Sequence, residues 1–147
     1  MTLTIRPPTP ADRADWGRLF AGYAEFYGVA QSEAMRDRVW SWLHDPAKST
    51  SGLVAQAQGR LIGLAHFRTV DDPLWAKTTG FLDDLFVDPS ARGSGTAKAL
   101  IDAVAAKGRA QGWPLLAWLT AADNHRARSL YDRLATPATW VTYEMTL

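Results

Sequence analysis

The 147-residue chain contains no cysteine. That excludes a disulfide framework, a thiolate metal site and a cysteine-bound acyl intermediate. It also lacks an excess of either charge: 16 Lys and Arg stand against 15 Asp and Glu, for a formal net charge of +1. With no basic field to attract a phosphate backbone, no nucleic-acid partner is expected. No apolar run approaches the roughly 18 residues of a membrane span, so no membrane partner is expected either. The start, MTLTIRPPTP, has no basic region leading into an apolar run and a small-residue cleavage site, and a cytoplasmic location is expected. Histidine is scarce and scattered at His44, His66 and His125, a spacing that predicts no metal site. Tryptophan, by contrast, is abundant, at positions 16, 40, 42, 75, 113, 118 and 140.

Hydrophobic residues make up 47% of the chain, enough for one packed domain spanning residues 1–147. Thr2 to Arg6 alternates polar and apolar residues and predicts a short strand, stopped by Pro7 and Pro8. Trp16, Leu19, Phe20, Tyr23 and Tyr27 share one helical face, and Gly28 ends that helix. Ser32 is placed to cap a second helix, which Asp45-Pro46 stops. Residues 53–57 and 61–70, joined at Gln58-Gly59, predict a hairpin, and 81–87 a further strand. A helix over 96–111, a strand over 114–120, a helix over 124–134 and a closing strand over 140–145 complete a single α/β domain.

The chemistry concentrates in 81–98, where a strand runs through Asp88-Pro89-Ser90-Ala91-Arg92-Gly93-Ser94-Gly95 into a helix. Gly93 and Gly95 permit left-handed backbone and close approach by a ligand. The free amides of the next helix's first turn face the same space, and its dipole favours an anion. This is a cradle for a pyrophosphate built from neutral amides. Neither a phosphate-binding G-x-x-x-x-G-K-[ST] loop nor the dinucleotide G-x-G-x-x-G fingerprint fits its spacing. Ser94 lies in Gly-Ser-Gly, not in the G-x-S-x-G of a hydrolase elbow.

Arg92-Gly93-Ser94-Gly95-Thr96-Ala97 resembles the R/Q-x-x-G-x-G/A signature of the GNAT superfamily of acyl-CoA-dependent N-acetyltransferases. Upstream, Leu82-Asp83-Asp84-Leu85-Phe86-Val87-Asp88-Pro89 is similar to the family's L-E-D-L-F-V-x-P strand. Downstream, Asn124 through Tyr131 is similar to its N-x-x-A-x-x-L-Y helix. The resemblance implies a mixed, mostly antiparallel sheet with splayed strands, flanked by about four helices. It implies acetyl-CoA as co-substrate, a primary amine on a small polyamine-like molecule or on a protein as acceptor, and direct transfer between them. It also implies a homodimer. An alternative is a non-catalytic acyl-CoA-binding module.

Residue by residue, the resemblance assigns the pyrophosphate to Gly93, Ser94, Gly95, Thr96 and Ala97, with Arg92 at the entrance. The backbone of Leu85, Phe86 and Val87 would pair with the pantetheine arm like an added strand. Asn124 would hydrogen-bond that arm, or cap its helix. Tyr131 would be the general acid for the departing thiolate. A free alkylamine, with a pKa of about 10.4, must lose a proton before it attacks. Asp83 lies where relatives carry the carboxylate base, and strand alternation would point it and Asp84 to opposite faces.

Gly22 to Gly28, Trp75 and Leu130-Tyr131-Asp132 together resemble a branch of the family with fungal histone and polyamine acetyltransferases, which implies Tyr23, Glu25, Tyr27 and Trp75 as acceptor contacts; aromatics with a carboxylate also suit a cationic amine. Trp16, Trp40 and Trp113 are expected in the core, and Trp75, Trp118 and Trp140 beside the cleft. The sequence departs from the family before the last strand. Thr139-Trp140 replaces the usual Gly-Phe after an unusual Ala135-Thr136-Pro137.

Overall fold

Antiparallel pairing from one chain neighbour to the next builds most of the sheet, seen in a computed structural model describing residues 2–147. The strands β1 (Leu3–Arg6), β2 (Thr50–Ala57), β3 (Arg60–Asp72), β4 (Lys77–Val87) and β5 (Leu116–Trp118) lie in that spatial order. Among the described residues only the β4–β5 pair is parallel, as a strand–helix–strand crossover requires. The β2–β3 turn places Gln58 and Gly59 at φ 52° and 73°, the two left-handed residues of a tight hairpin. β3 and β4 each extend beyond their expected limits, because the two strands pair continuously out to Asp72 and Lys77.

Alternation sends the two faces of this sheet to different layers. Val54, Leu61, Leu64 and Phe86 meet Trp16, Leu19 and Phe20 of α1 (Arg13–Phe26). Val39, Trp40 and Leu43 of α2 (Glu33–Leu43) pack over the same cluster. Leu53, Ala55, Ala65, Phe67 and Leu82 meet Leu100, Ile101 and Val104 of α3 (Thr96–Gln111) on the other face. α4 (His125–Leu134) adds Leu130, Tyr131 and Leu134 to that side, all half-buried. Trp16 and Trp113 are core residues, and Trp40 stacks on Trp16 with ring centroids 4.9 Å apart.

Local signals explain the helix starts. The Ser32 hydroxyl accepts the Met35 N–H at 3.1 Å. Asp12 accepts the Thr9 N–H at 2.7 Å and binds Arg6 through both carboxylate oxygens, at 2.6 and 3.0 Å, tying β1 to the start of α1.

The expected closing strand is corrected. Residues 136–147 form no strand and make no hydrogen bond to the rest of the described residues. β5 is therefore an edge strand. Alternation in 140–145 is a local property, whereas pairing needs an edge within reach.

Candidate active site

β4 carries an irregularity where the acidic pair lies. His66 stands opposite Asp84 and Phe67 opposite Leu82, leaving Asp83 as the extra residue of a bulge. Simple alternation fails there. Asp83 accepts Arg68 Nε at 3.1 and 3.0 Å, while Asp84 accepts from His66 Nδ1 at 2.8 Å. His66 and Arg68 are two residues apart on β3 and share a face. Both carboxylates thus lie on the α1 side of the sheet, against the expectation of opposite faces.

Their surroundings differ. Asp83 is exposed and held by an arginine whose guanidinium lies 5.1 Å over the Phe81 ring. Asp84 is half-buried at the end of a relay: Trp16 Nε1–H donates to His66 Nε2 at 3.0 Å, and the opposite ring nitrogen faces Asp84. An indole nitrogen can only donate, so His66 Nε2 carries no proton and Nδ1–H must point at Asp84. The imidazole is therefore neutral, 1% exposed, and orients the carboxylate as a hydrogen-bond donor.

Tyr23 lies beside Asp84, with Tyr27 and Tyr131 near it. The Tyr23 phenol is pushed well above its ordinary range, first by burial and then by the charge of Asp84, with Tyr27 and Tyr131 adding to it. The Tyr23 ring lies 5.0 Å from Tyr27 and meets Phe86 edge-on at 6.1 Å. Tyr131, on α4, packs edge-to-face on Trp118 at 5.5 Å. Burial, reinforced by Tyr27, raises its phenol too. Tyr131 consequently holds its proton at neutral pH and can donate it.

Beside this cluster the sheet opens. Pairing between β4 and β5 ends at Leu82 and Trp118, although β4 continues to Val87. The Asp88 N–H donates to the Ile62 carbonyl at 2.8 Å. Ladder alternation then commits the Phe86 backbone to β3 and turns the N–H and C=O of Leu85 and Val87 into the slot. The expectation for all three backbones narrows to two. Phe86 instead contributes its ring, with the Arg92 guanidinium 5.9 Å from its centroid. A cleft of about 330 Å³ joins Phe86 and Arg92 to Gly22, Glu25 and Phe26 of α1.

The slot leads to the glycine loop. Gly93 and Gly95 adopt φ 80° and 82°, and a Cβ at either would project into open space. Gly95 is the N-cap of α3 and offers no side chain to its first turn. The first helical bond runs from Ala99 N–H to Gly95 C=O at 3.0 Å, leaving the amides of Thr96, Ala97 and Lys98 directed outward. Ser94 donates to the Ala91 carbonyl and lies 2.7 Å from the Thr96 hydroxyl, which tightens the turn. Unpaired amides on two glycine-shaped turns, continuous with an unpaired strand edge, fit a pyrophosphate attached to a peptide-like arm. That is the chemistry of coenzyme A.

Asn124 caps α4, its Oδ1 accepting the Ala127 N–H at 3.3 Å. Its Nδ2 reaches Thr120 only at 3.5 Å, which leaves a donor to spare. Trp75 is not brought to the cluster. It sits 69% exposed at the β3–β4 hairpin tip, and Asp84 lies about 23 Å along the strand from Lys77 at ~3.3 Å per residue. Trp140 is 87% exposed and makes no ring contact with Trp118 or Tyr131. The sequence reading missed His66 and Arg68. Their role depends on cross-strand register, and an apolar-flanked histidine alone gave no sign of it.

The sequence model of the Acetyltransferase (GNAT) family matches residues 16–135. The D-amino-acid N-acetyltransferase HPA3 of Saccharomyces cerevisiae is 26% identical over 144 residues, 97% of this chain and 89% of the yeast protein. A ribosomal-protein-alanine N-acetyltransferase from Brucella melitensis biovar Abortus 2308 superposes with a TM-score of 0.83 at 26% identity, covering 100% of both chains. The aminoglycoside N-acetyltransferase AAC(6')-Iy, in complex with CoA, gives a TM-score of 0.85 at 22% identity over 99% of this chain and 95% of that one.

Proposed function

Because the chain belongs to the Acetyltransferase (GNAT) family, and is thus an acyltransferase acting on an amine, we propose a specific division of labour among its residues. Acetyl-CoA supplies the activated acyl group as a thioester. The amides from Gly93 to Lys98, with Arg92 at the entrance, hold its pyrophosphate. The backbone of Leu85 and Val87 and the spare Asn124 donor align its arm in the β4–β5 slot. What supports this most directly is the slot itself, where β4 runs on past its last pairing with β5 at Leu82 and Trp118.

The acceptor reaches Asp84 past Tyr23 and Tyr27, with Glu25 on the rim. Asp84, held by His66, takes the ammonium proton through water, and we assign the base to it in place of Asp83. The reason is geometric: Arg68 Nε already engages both oxygens of Asp83, whereas Asp84 is held by His66 beside Tyr23. Tyr131 gives its phenolic proton to the departing sulfur. Its raised pKa keeps that proton available through neutral pH. No part of the transfer needs a covalent enzyme intermediate.

The three relatives are named for different amine acceptors, and this cleft fits a primary amine carried on a small cationic molecule. We further infer a cytoplasmic homodimer; no helix in the described residues is long and apolar enough to cross a membrane. The test is a thiol-release assay with acetyl-CoA across chemically diverse amines, alongside thermal shift with coenzyme. Amine-dependent release of free CoA is the expected result. Thermal stabilisation by acetyl-CoA without release for any amine would instead support a non-catalytic acyl-CoA-binding module.

A further inference from the structure

Arg18, on α1, spends each of its three nitrogens on a different part of the chain. Nε donates to Asp15 on its own helix at 2.9 Å, and Nη2 to the Leu61 carbonyl near the start of β3, also at 2.9 Å. Nη1 crosses to Asp88, the residue that follows β4, at 2.8 Å. Asp15 in turn accepts the Leu61 N–H at 2.8 Å. A planar guanidinium fork holds three such directions at once, which a lysine ammonium on its flexible stem does not.

Asp88 is where this clamp meets the glycine loop. Its Oδ1 accepts the Ser90 N–H at 3.0 Å and the Ser90 hydroxyl at 2.9 Å, and its carbonyl accepts the Ala91 N–H at 2.8 Å. The Ala91 carbonyl accepts the Ser94 hydroxyl, which stands 2.7 Å from that of Thr96, the first residue of α3. Hydrogen bonds therefore link Arg18, turn by turn, to the head of the helix whose amides form the cradle. Arg18, Asp88 and Arg92 also line one cleft, so the clamp lies beside the cradle's entrance.

Charge gives the clamp its consequence. The Ser90 N–H first, with Arg18 behind it, holds the Asp88 carboxyl below its ordinary range, so it is an anion at neutral pH. Its side chain is 14% exposed, and water screens such a charge poorly. An anion at the mouth of a site for a pyrophosphate repels the ligand unless a cation covers it. Arg18 is the cation bonded to Asp88 among the described residues.

We propose that Arg18 is a positioning residue for acetyl-CoA, acting through Asp88. It covers the charge of that carboxylate and thereby holds the turn that carries the glycine loop. This role rests on the pyrophosphate cradle assigned above and adds to it a residue from another layer of the fold, 70 positions upstream of Asp88.

Two donors separate this role from simple packing: acetyl-CoA, and acetyl-pantetheine, which carries the thioester arm without a phosphate. Affinity for acetyl-CoA is measured by calorimetry, and for acetyl-pantetheine by competition against it. Wild type should bind acetyl-CoA far more tightly. Arg18→Met should weaken acetyl-CoA about tenfold or more, the scale of a lost charge-assisted hydrogen bond, while acetyl-pantetheine stays within about twofold. Arg18→Gln repeats the measurement if methionine at this position impairs folding. Adding Asp88→Asn to Arg18→Met removes the uncovered charge and keeps an acceptor for Ser90, so most of the acetyl-CoA affinity should return. Asp15→Ala cuts α1 from Leu61 but leaves the Arg18–Asp88 bond, and should lower Tm without changing the preference between donors. Wild-type affinity for acetyl-CoA in Arg18→Met would overturn the proposal. So would an equal loss of both donors, a double variant no better than the single one, or an Asp15→Ala variant that loses acetyl-CoA as Arg18→Met does. A wild type that binds the two donors equally would instead remove the cradle on which this role rests.

Discussion

Replacing Trp16 with Phe removes the single donor that holds His66 in its neutral tautomer. Trp16 and His66 are each 1% exposed, and the bond between them is 3.0 Å long. Leaving the buried Nε2 without its donor costs about 1–3 kcal/mol. The volume lost from indole to phenyl, on the order of 40 Å³, adds about 1 kcal/mol if it does not collapse. The variant should therefore be less stable by about 2–4 kcal/mol, which for a domain of this length lowers Tm by roughly 5–15 °C. The His66 ring also loses the bond that fixes it, so its donor to Asp84 is no longer held in place and kcat should fall by roughly tenfold or more with coenzyme affinity unchanged. Differential scanning calorimetry and steady-state kinetics read the two effects. Trp40→Phe is the control, since Trp40 packs on Trp16 without donating to His66, and it should leave kcat unchanged. Wild-type stability together with wild-type kcat in Trp16→Phe would refute the relay.

Three further outcomes follow from the same geometry. The Arg6 guanidinium, with help from Thr9, holds the Asp12 carboxyl down at about 2, against an ordinary 3.8. Because the folded-state value is depressed, its contribution of about 2 kcal/mol is fully present above pH ~4 and is lost as pH falls through ~2. Asp12→Asn should flatten that part of the acid-unfolding curve, and an unchanged curve would contradict the assignment. A methyl group at Gly80 would overlap the Trp113 ring, so Gly80→Ala should cost about 1–3 kcal/mol in denaturant unfolding. Gly95→Val forces a branched side chain into left-handed backbone at the head of α3 and should weaken coenzyme binding in calorimetry. A wild-type affinity in that variant would remove Gly95 from the cradle.

Much of the fold was legible because its signals are local. The Ser32 cap, the Gln58-Gly59 turn and the glycine pair before α3 each act within a few residues, and each lies where the chain predicts it. The misreadings arise where the answer depends on a partner strand. Asp83 and Asp84 read as facing opposite ways under simple alternation, but the register shift opposite His66 and Phe67 turns both to one face. That bulge has no glycine or proline to announce it. Likewise, Leu85 and Val87 separate from Phe86 only once the Asp88–Ile62 bond sets the phase of the ladder. Trp75 precedes β4 by two residues in sequence but lies a long strand away from its acidic end. The closing segment has strand composition without an edge of its own to join.

The central claim is that Tyr131 protonates the sulfur leaving during acetyl transfer, and Tyr131→Phe tests it most directly. The substitution keeps the ring that packs on Trp118 and deletes only the proton donor. With an amine identified by thiol release, kcat should fall by roughly 10²–10⁴-fold, the range of general acid catalysis. Coenzyme affinity, measured by calorimetry on the same preparation, should stay within about twofold, because the phenol lies outside the predicted pyrophosphate cradle. Turnover equal to wild type at equal coenzyme affinity would contradict the account.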